Sequence, residues 1–374
     1  MNDEKRRIQN PIRILQFTTQ LNFGGVQTFL LTYAEHMDPE TIIFDYVVQT
    51  NDPCALDERV KQRGSRIYYV TPMAKSLLGY MRDVYHLLKK HPEYKIVHTH
   101  LNYRNIFPLI SAKLAKVKVR ISHSHNNYTA TNGLKSAERK MFRFLLPVIA
   151  TDYWACSEMA GKWLYGNNKY NVIHNAIEIS KFKFSEEIRE NLRKKHNIYN
   201  QIVWINVGMF GKAKNHKFLL NLFNEHVKHN PDTCLVLCGD GDERKNIEQQ
   251  AADYGICDKV FFLGSVDNVN EYLMMADIMI TPSLFEGLPL VCVEAQATGC
   301  PVVASSAIPD EALFADNTER CMTWKISDWE DSIKRMLNMQ IDRKQAGMLC
   351  SENNFDICNE AKKLQNVFVK MAER

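Results

Sequence analysis

The chain has 374 residues, of which 45% are hydrophobic and 24% charged, and its formal net charge is +4. This balance is typical of an ordinary globular protein and excludes a disordered chain, a collagen-like chain and a small disulfide-rich domain. No apolar run approaches the ~20 residues that cross a bilayer, and we predict no signal peptide. The ten cysteines include no C-x-x-C pair, so we expect a reduced, cytoplasmic protein.

Charge is divided unevenly along the chain. Residues 1–180 hold 24 basic and 15 acidic side chains, whereas residues 181–374 hold 23 basic and 28 acidic ones. Eight of the basic residues, and a single acid, lie between Ser111 and Arg143. The excess indicates an anionic partner for the first half. Nucleic acid is not favoured, because the positive charge is confined to part of one half and no DNA or RNA motif accompanies it.

Strands and helices alternate in the first half of the sequence. A strand is predicted at Ile12–Phe17, followed by a turn that contains Gly24 and Gly25 and then by an amphipathic helix. Further strands are predicted at Ile42–Val48, 66–70, 95–98 and 117–123. Such alternation indicates a parallel α/β sheet. His98 and His100 on one strand, and His123 and His125 on another, could be metal ligands. We favour structural histidines, since no cysteine or carboxylate stands at zinc-like spacing.

The segment 134–146 is predicted to be a basic amphipathic helix. Lys135, Arg139 and Arg143 are spaced by four residues and form one row. The same segment has an apolar side made of Leu134, Ala137, Met141, Phe144 and Leu145. A helix of this kind can lie on an anionic membrane surface. The alternative is a helix that packs its apolar side on the core and leaves its charges in solvent.

The α/β pattern restarts in the second half. Strands are predicted at Ile202–Val207, 234–238, 260–263, Ile278–Thr281 and Val302–Ser305, with helices at 217–228, 243–254, Val269–Met275 and 290–298. We therefore predict two Rossmann-like domains, at residues 1–185 and 186–357. The C-terminal helix 358–374 could end the second domain or return to the first. Because open parallel sheets bind ligands beyond the carboxyl ends of their strands, two facing sheets would place a site in the cleft between them.

The segment from Thr281 to Glu294 contains the most candidate ligand-binding groups. A strand ends near Thr281, a loop carries Glu286, and Pro289 suits the first turn of a helix that carries Glu294. The free N–H groups of such a helix start can bind phosphate. The two carboxylates can accept hydrogen bonds from sugar hydroxyls. The alternative is a structural helix with one solvated acid in the preceding loop.

Two motifs in the segment 239–242 point to other functions. Asp240 and Asp242 have the D-x-D form that metal-dependent transferases use, but they stand at a strand–turn–helix junction. Gly239 and Gly241 suggest dinucleotide binding, yet Arg244 replaces the third glycine of G-x-G-x-x-G. We therefore predict no metal site and no dinucleotide site at this turn.

Glu286 and Glu294, separated by seven residues, resemble the E-x7-E signature of the retaining glycosyltransferases of family 4, or group 1. The resemblance extends in order over most of the chain and includes Gly24-Gly25, His123-Ser-His125-Asn126, Asn175-Ala-Ile-Glu178, Lys214-Asn-His216, Gly239-Asp-Gly241 and Gly264. It implies the GT-B fold, a nucleoside diphosphate sugar donor, most simply UDP-linked, and a glycan or lipid-linked acceptor. No metal or other cofactor is implied.

The resemblance also assigns site residues. Glu294 would hold the ribose hydroxyls, Glu286 the donor sugar and Lys214 the diphosphate, where charge develops. Gly24 and Gly25 would let the backbone approach the diphosphate, and His125 would hydrogen-bond the donor sugar, with His123 the less favoured choice. The other donor-binding positions implied are Lys212, Gly264, Gly287, Leu288 and Leu290.

One position departs from the family pattern. Met209 stands beside Gly208, where the family usually has an arginine that pairs with Lys214 around the diphosphate. Either Lys212 supplies the missing charge or turnover is reduced. Two alternatives to a transferase stay open: a nucleotide-sugar epimerase or hydrolase on the same fold, and a non-catalytic nucleotide-sugar binder, for which Met209 is the best argument.

Overall fold

The structure, a computed structural model, describes residues 10–22, 24–125 and 133–374, and within the last range it describes side chains from residue 140 onward. The chain forms two compact units. The first contains Met1–Ala176 and Ile357–Arg374, and the second contains Ile177–Asp356. Each has its own parallel sheet and its own core.

The first unit is built on a sheet whose seven described strands are all parallel, in the order β3-β2-β1-β4-β5-β6-β7. The strands are β1 (Ile12–Phe17), β2 (Ile42–Val48), β3 (Ile67–Tyr69), β4 (Ile96–Thr99), β5 (Val119–Ser124), β6 (Asp152–Ala155) and β7 (Asn171–Val172). The connecting helices are α1 (Gly25–His36), α2 (Asp57–Lys61), α3 (Leu77–Lys90), α4 (Ile106–Leu114), α5 (Gly133–Ile149) and α6 (Glu158–Tyr165).

The second unit has a sheet of six described parallel strands in the order β10-β9-β8-β11-β12-β13. They are β8 (Ile202–Val207), β9 (Thr233–Cys238), β10 (Val260–Gly264), β11 (Ile278–Thr281), β12 (Val302–Ser305) and β13 (Thr318–Cys321). Its helices are α7 (Glu186–Lys195), α8 (His216–Val227), α9 (Arg244–Asp253), α10 (Val269–Met275), α11 (Leu290–Ala297), α12 (Ile326–Leu337) and α13 (Gly347–Glu352). The last helix of the chain, α14 (Ile357–Ala372), belongs to the first unit.

Helices cover the sheets, so the central strands are buried over their whole length. Every residue of β9 and of β12 is buried. Strands buried on both faces read as continuous apolar runs, which is why periodicity of two is absent from these segments. Among the described helices, none is long and apolar enough to cross a membrane.

The two ends of the second unit differ from the predicted domain limits. The unit begins at Ile177 rather than at 186, because the turn at Ile179–Phe182 packs on α10, α11 and α13 of the second unit. Arg189 and Arg193 of α7 each donate to Asp277 at 2.6 Å, just before β11. At the other end, Ile357 already belongs to the first unit, where one side of α14 is buried at Ile357, Ala361, Leu364, Phe368 and Met371.

Candidate functional site

Three loops of the second unit meet where β8, β9 and β11 end. Phe210 N donates to Asp240 O at 2.9 Å, which ties the loop after β8 to the loop after β9. Leu284 N donates to Ala213 O at 2.7 Å, which ties the loop after β11 to the loop after β8. The carboxyl ends of parallel strands form the edge at which such sheets bind ligands. The three loops therefore form one connected rim at that edge.

The glycines of the 239–241 turn are explained by this contact between loops. A Cβ at Gly239 would lie 2.0 Å from Gly208 O, and its φ of +139° disfavours any other residue. A Cβ at Gly241 would lie 2.6 Å from Phe210 O. The neighbouring Asp240 is exposed, and its carboxylate accepts from Gly241 N at 2.7 Å. The turn thus shapes the rim by close backbone packing.

An ion pair joins two predicted site residues across the rim. Lys214 Nζ lies 2.8 Å from Glu286 Oε1, and both side chains are about 85% buried, with 16% and 15% exposed. Ser283 Oγ donates to the same carboxylate oxygen at 2.9 Å. The stem of Lys214 passes over Gly208, where a Cβ would lie 2.5 Å from Lys214 Cε. The loops after β8 and β11 therefore hold the two charges together in a fixed place.

Glu294 lies one turn into α11, in the field of the same lysine. Desolvation raises the pKa of its carboxyl from 4.5 to about 7, and the positive charge of Lys214 opposes the shift. Within the described residues its carboxylate accepts no hydrogen bond, and the side chain is half-buried. An acceptor kept from water without a partner is suited to a ligand that brings donors of its own, such as a diol.

Two helices begin at the rim without a side-chain cap. Asn215, in the left-handed conformation with φ +54°, precedes α8, and Pro289 precedes α11. The first N–H groups of a helix have no partner inside it, so an uncapped start can receive an anion. Leu288 is buried, and Gly287 and Leu290 flank it at the start of α11. These are the positions that the sequence analysis assigned to donor binding, and that role stays a prediction.

The remaining predicted positions are spread around the same rim. Gly264 ends β10 at φ +72°, and its carbonyl accepts from Gly239 N at 2.7 Å. Lys212 is exposed on the turn that leads to Lys214. Met209 is 70% exposed, so its thioether is not part of the core. The rim therefore has one cation tied to Glu286, a second cation in solvent, and a neutral side chain at position 209.

Sequence analysis assigned no role to His216, the first residue of α8. Its ring stacks on Phe210 at 4.2 Å and 7°, and neither ring nitrogen has a hydrogen-bond partner within the described residues. Desolvation, followed by the charge of Lys214, lowers its pKa to about 4, so the ring is neutral at pH 7. It lines a cavity of about 500 Å³ with Lys212 and Leu284. The sequence signal that could have identified His216 is its position directly after Lys214-Asn215.

A larger cavity, of about 640 Å³, lies at the opposite, amino ends of the strands and is lined by Asp277 and Arg343. The Arg343 guanidinium already donates to the carbonyls of Leu273, Ala276 and Thr298, at 2.8 to 3.0 Å. Because these donors are used inside the unit, the cavity is lined by a structural set of hydrogen bonds around Asp277 and Arg343, which we call the structural brace. No predicted site residue lies there.

Four histidines meet at the corresponding edge of the first unit. His98 Nε2 lies 3.0 Å from His123 Nδ1, and His100 Nδ1 lies 2.7 Å from His125 Nε2. His100 Nε2 in turn lies 3.0 Å from Oε1 of Gln16 on β1. The four rings thus form two hydrogen-bonded pairs, one of which reaches a neighbouring strand. The sequence analysis placed His98 with His100, and His123 with His125, but it did not predict that hydrogen bonds would join the two strands.

The histidine cluster is enclosed by aromatic rings and is electrically neutral. Phe29 packs against His123 at 5.2 Å and His125 at 5.4 Å, and Trp154 packs against His98 at 4.9 Å. Desolvation lowers the pKa of all four rings, that of His125 to about 3. One nitrogen from each of His98, His100 and His123 lies within 4.8 Å of the others. Their hydrogen bonds to one another suit the structural role that the sequence favours.

The glycine loop of the first unit is less distinctive. Gly24 precedes α1 in an extended conformation, and Gly25 begins the helix. A Cβ at Gly25 would meet nothing within 4 Å, and one at Gly24 would meet only the end of the Gln27 side chain. No described neighbour therefore requires glycine at these two positions, and close approach of a ligand stays a prediction. Asn126, from the histidine motif, lies outside the described residues.

The segment 134–146 forms the greater part of α5. The side chains of Lys135 and Arg139 lie outside the described ones, and Arg143 is turned towards Gly166 and donates to Lys162 O at 3.4 Å. The helix packs on the unit through Phe142 and Leu146, which are buried. Its other side carries exposed apolar residues, namely Met141, Phe144, Leu145 and Val148.

Comparison with known proteins covers both units. Residues 188–348 match the family described as glycosyl transferases group 1, and residues 23–181 match glycosyltransferase family 4. EpsF of Bacillus subtilis, named as a glycosyltransferase, is 32% identical over 334 residues, which cover 86% of this chain and 87% of the relative. A UDP-Gal:alpha-D-GlcNAc-diphosphoundecaprenol alpha-1,3-galactosyltransferase of Escherichia coli is 25% identical, with 93% and 94% covered.

Solved structures match the whole fold. Anabaena HepE, crystallised with UDP and glucose, superposes with a TM-score of 0.77 at 18% identity, and the match covers 96% of this chain and 99% of that one. At this level of identity the similarity concerns the fold. The two Rossmann-like units are those of the GT-B architecture.

The buried carboxyl of Glu294 predicts a stability that depends on pH. Its pKa in the folded protein is about 7, above the unfolded value of 4.5, so folding favours the neutral form. The contribution of this carboxyl to the free energy of unfolding is fully present below about pH 4.5 and is lost as the pH rises through 7. We expect Glu294→Gln to be about 1–2 kcal/mol more stable than the native protein at pH 8, and nearly equal to it at pH 5.

Urea denaturation at both pH values measures this difference. Glu190→Gln is the matched control, because Glu190 is an exposed acid on α7 of the same unit. Equal stability of Glu294→Gln and the native protein at pH 8 would contradict the prediction.

Proposed function

Because this chain belongs to the glycosyl transferases group 1, we propose that it transfers a sugar, with retention at the anomeric carbon, from a UDP-linked donor to a hydroxyl of a lipid-linked or glycan acceptor. The chain is a glycosyltransferase of polysaccharide biosynthesis. One observation carries the proposal most directly. The Lys214–Glu286 ion pair and the desolvated Glu294 lie together at the uncapped start of α11.

Each of these groups matches a part of the donor. Lys214 has three N–H donors and gives one to Glu286, so the others are available for the diphosphate. Glu294 accepts hydrogen bonds from the ribose hydroxyls, and Glu286 contacts the sugar. In the first unit, His125 hydrogen-bonds the donor sugar. UDP as the nucleotide is supported by the complexes of HepE and by the name of the Escherichia coli relative.

The proposed reaction is a front-face substitution. The bond between the anomeric carbon and the phosphate oxygen breaks, and a bond from the acceptor oxygen forms on the same face. The departing phosphate oxygen takes the proton of the acceptor hydroxyl, and Lys214 stabilises the charge that develops there. No step uses a protein carboxylate as nucleophile or a bound metal ion, so we expect the reaction to tolerate EDTA.

Nucleotide binding tests the donor site without any knowledge of the acceptor. We expect UDP to stabilise the protein by ~2.7 kcal/mol at a hundredfold excess over its dissociation constant, with or without EDTA. Glu294→Gln should lose affinity for both uridine and UDP, since each carries the ribose. Lys214→Met should lose affinity for UDP only, because uridine has no phosphate. Glu190→Gln is the control.

Thermal-shift titrations with uridine, UDP, GDP and ADP measure these effects. Product analysis then separates the alternatives. An epimerase leaves the nucleotide on an altered sugar, whereas a hydrolase releases sugar without any acceptor. No shift with any nucleotide would refute the donor site, and a shift without turnover across acceptors would favour the non-catalytic binder.

Met209 is the observation that favours reduced turnover. It is exposed at the rim, so an arginine there would not disturb the core. We expect Met209→Arg to raise the donor turnover rate roughly three- to tenfold, because it adds a cation near the leaving phosphate. Met209→Gln is a neutral control of similar length, and Met322→Arg adds the same charge at another exposed position of the unit. An unchanged rate would show that Lys212 or another group already suffices.

We also propose that the first unit docks on the anionic inner face of a membrane through α5. Phe144 is 81% exposed, and Met141 and Val148 are exposed on the same side of the helix. Lys140 is an exposed cation on that helix. Apolar side chains flanked by basic ones favour an interfacial position, where the aromatic ring is buried below the headgroups.

Vesicle sedimentation tests this surface. We expect Phe144→Glu to weaken binding to phosphatidylglycerol vesicles more than tenfold, since it removes a large apolar group and adds a negative charge. Leu78→Glu is the control, because Leu78 is equally exposed on α3 of the same unit. Similar loss in both variants, or equal binding to neutral vesicles, would argue against docking through α5.

A further inference from the structure

A chain of hydrogen bonds connects His125 to the interior of the first unit. It runs from Gln16, which is fully buried on β1, through His100 after β4, to His125 after β5. Gln16 Oε1 lies 3.0 Å from His100 Nε2, and His100 Nδ1 lies 2.7 Å from His125 Nε2. Both ends of the chain, Gln16 Nε2 and His125 Nδ1, are buried and have no partner within the described residues.

The direction of each hydrogen bond follows from the first. Both imidazoles are neutral, because desolvation lowers the pKa of each ring, so each carries one N–H. An amide oxygen can only accept, so His100 Nε2 carries the proton and donates to Gln16. His100 Nδ1 must then accept, and His125 Nε2 must donate to it. His125 Nδ1 is left as a bare nitrogen with a free lone pair.

Within the described residues, the titratable groups that face the two rings are His98 and His123, and these two bond to each other at 3.0 Å rather than to His100 or His125. In the same part of the chain, no carboxylate and no lysine or arginine shifts the pKa of His100, and burial alone shifts the pKa of His125. Asn102 Oδ1 accepts from the backbone N of His125 at 3.1 Å, which fixes the residue without touching its ring.

We propose that Gln16 is a positioning residue which, through His100, sets the tautomer of His125 and presents Nδ1 as an acceptor for a hydroxyl of the sugar substrate. The contact with sugar rests on the proposed function, whereas the tautomer is a property of the free protein. An acceptor at this position selects a hydroxyl that donates its proton. With the Gln16 amide reversed, every bond in the chain would reverse and His125 Nδ1 would become a donor.

Nuclear magnetic resonance of histidine-labelled protein reads the tautomer directly. Long-range ¹H–¹⁵N correlations distinguish a bare ring nitrogen from a protonated one, and the spectrum of His125→Gln assigns the signals. We expect native His125 to have a bare Nδ1 and a protonated Nε2 as its single tautomer. In Gln16→Met, which keeps the side-chain length and removes the amide, we expect a mixture of both tautomers.

His98→Phe is the matched control, because His98 is also buried in the cluster but takes no part in the hydrogen bonds from Gln16 through His100 to His125. It should leave the His125 tautomer unchanged. If Gln16→Met does not fold, His100→Phe interrupts the same chain and should also give a mixture. A native His125 with a protonated Nδ1, or a tautomer that does not change when the chain is interrupted, overturns the proposal.

Kinetics test the consequence for the sugar. We expect Gln16→Met to lower kcat/KM for the donor in proportion to the fraction of His125 whose Nδ1 is protonated, about twofold for equal populations of the two tautomers, while the affinity for UDP stays the same. Unchanged kcat/KM with a mixed tautomer would overturn the assignment of His125 Nδ1 to a sugar hydroxyl. Absence of transfer in the native protein would refute the proposed function instead, and the spectra would still decide whether Gln16 sets the tautomer.

Discussion

Both units depend on one constraint, the burial of each parallel sheet beneath helices. Such a sheet accepts a polar side chain on a central strand where a partner inside the unit satisfies it, as Arg13 and Tyr94 satisfy Asp45 on β2, and β9 and β12 are buried throughout. Polar groups that are left for a ligand are therefore expected at the strand ends, where loops carry them. The amino ends of the second sheet carry the structural brace around Asp277, and the carboxyl ends carry Lys214, Glu286 and Glu294. One edge supports the fold, which leaves the other free for ligands.

Placing ionisable groups at a buried edge costs stability. Desolvation brings the pKa of Glu294 to about 7 and lowers that of His216 to about 4, and neither side chain has a hydrogen-bond partner within the described residues. A side chain selected only for stability would be apolar or paired at these positions. Groups held ready for a ligand, by contrast, are expected to be strained in its absence. The same reasoning applies to the orphaned nitrogens of the histidine cluster in the first unit.

Sequence patterns predicted the two Rossmann-like units and the mostly apolar strands, among them β1, β2, β8 and β11, at their observed limits. They missed β6, β7 and β13, where Asp152, Asn171 and Glu319 interrupt the apolar run that marks the equally short β11. The glutamate pair could be recognised because its spacing lies within one strand–loop–helix segment. The contacts of Gln16 with His100, and of Phe210 with His216, join side chains whose orientation depends on packing, and no spacing rule reports them.

The charges of the rim explain how a methionine at position 209 is compatible with a diphosphate site. Lys214 is already paired with Glu286, and His216 is neutral, so little net charge faces an incoming anion. The anion would then be met by the remaining N–H donors of Lys214, by the N–H groups at the uncapped starts of α8 and α11 and by the exposed Lys212. Backbone N–H donors are fixed before the ligand arrives, so they stabilise the bound donor and the departing diphosphate to a similar extent. A cation whose contact strengthens as negative charge develops would instead stabilise the transition state and so raise the rate. If the proposed function holds, methionine at this position is expected to affect turnover more than it affects binding.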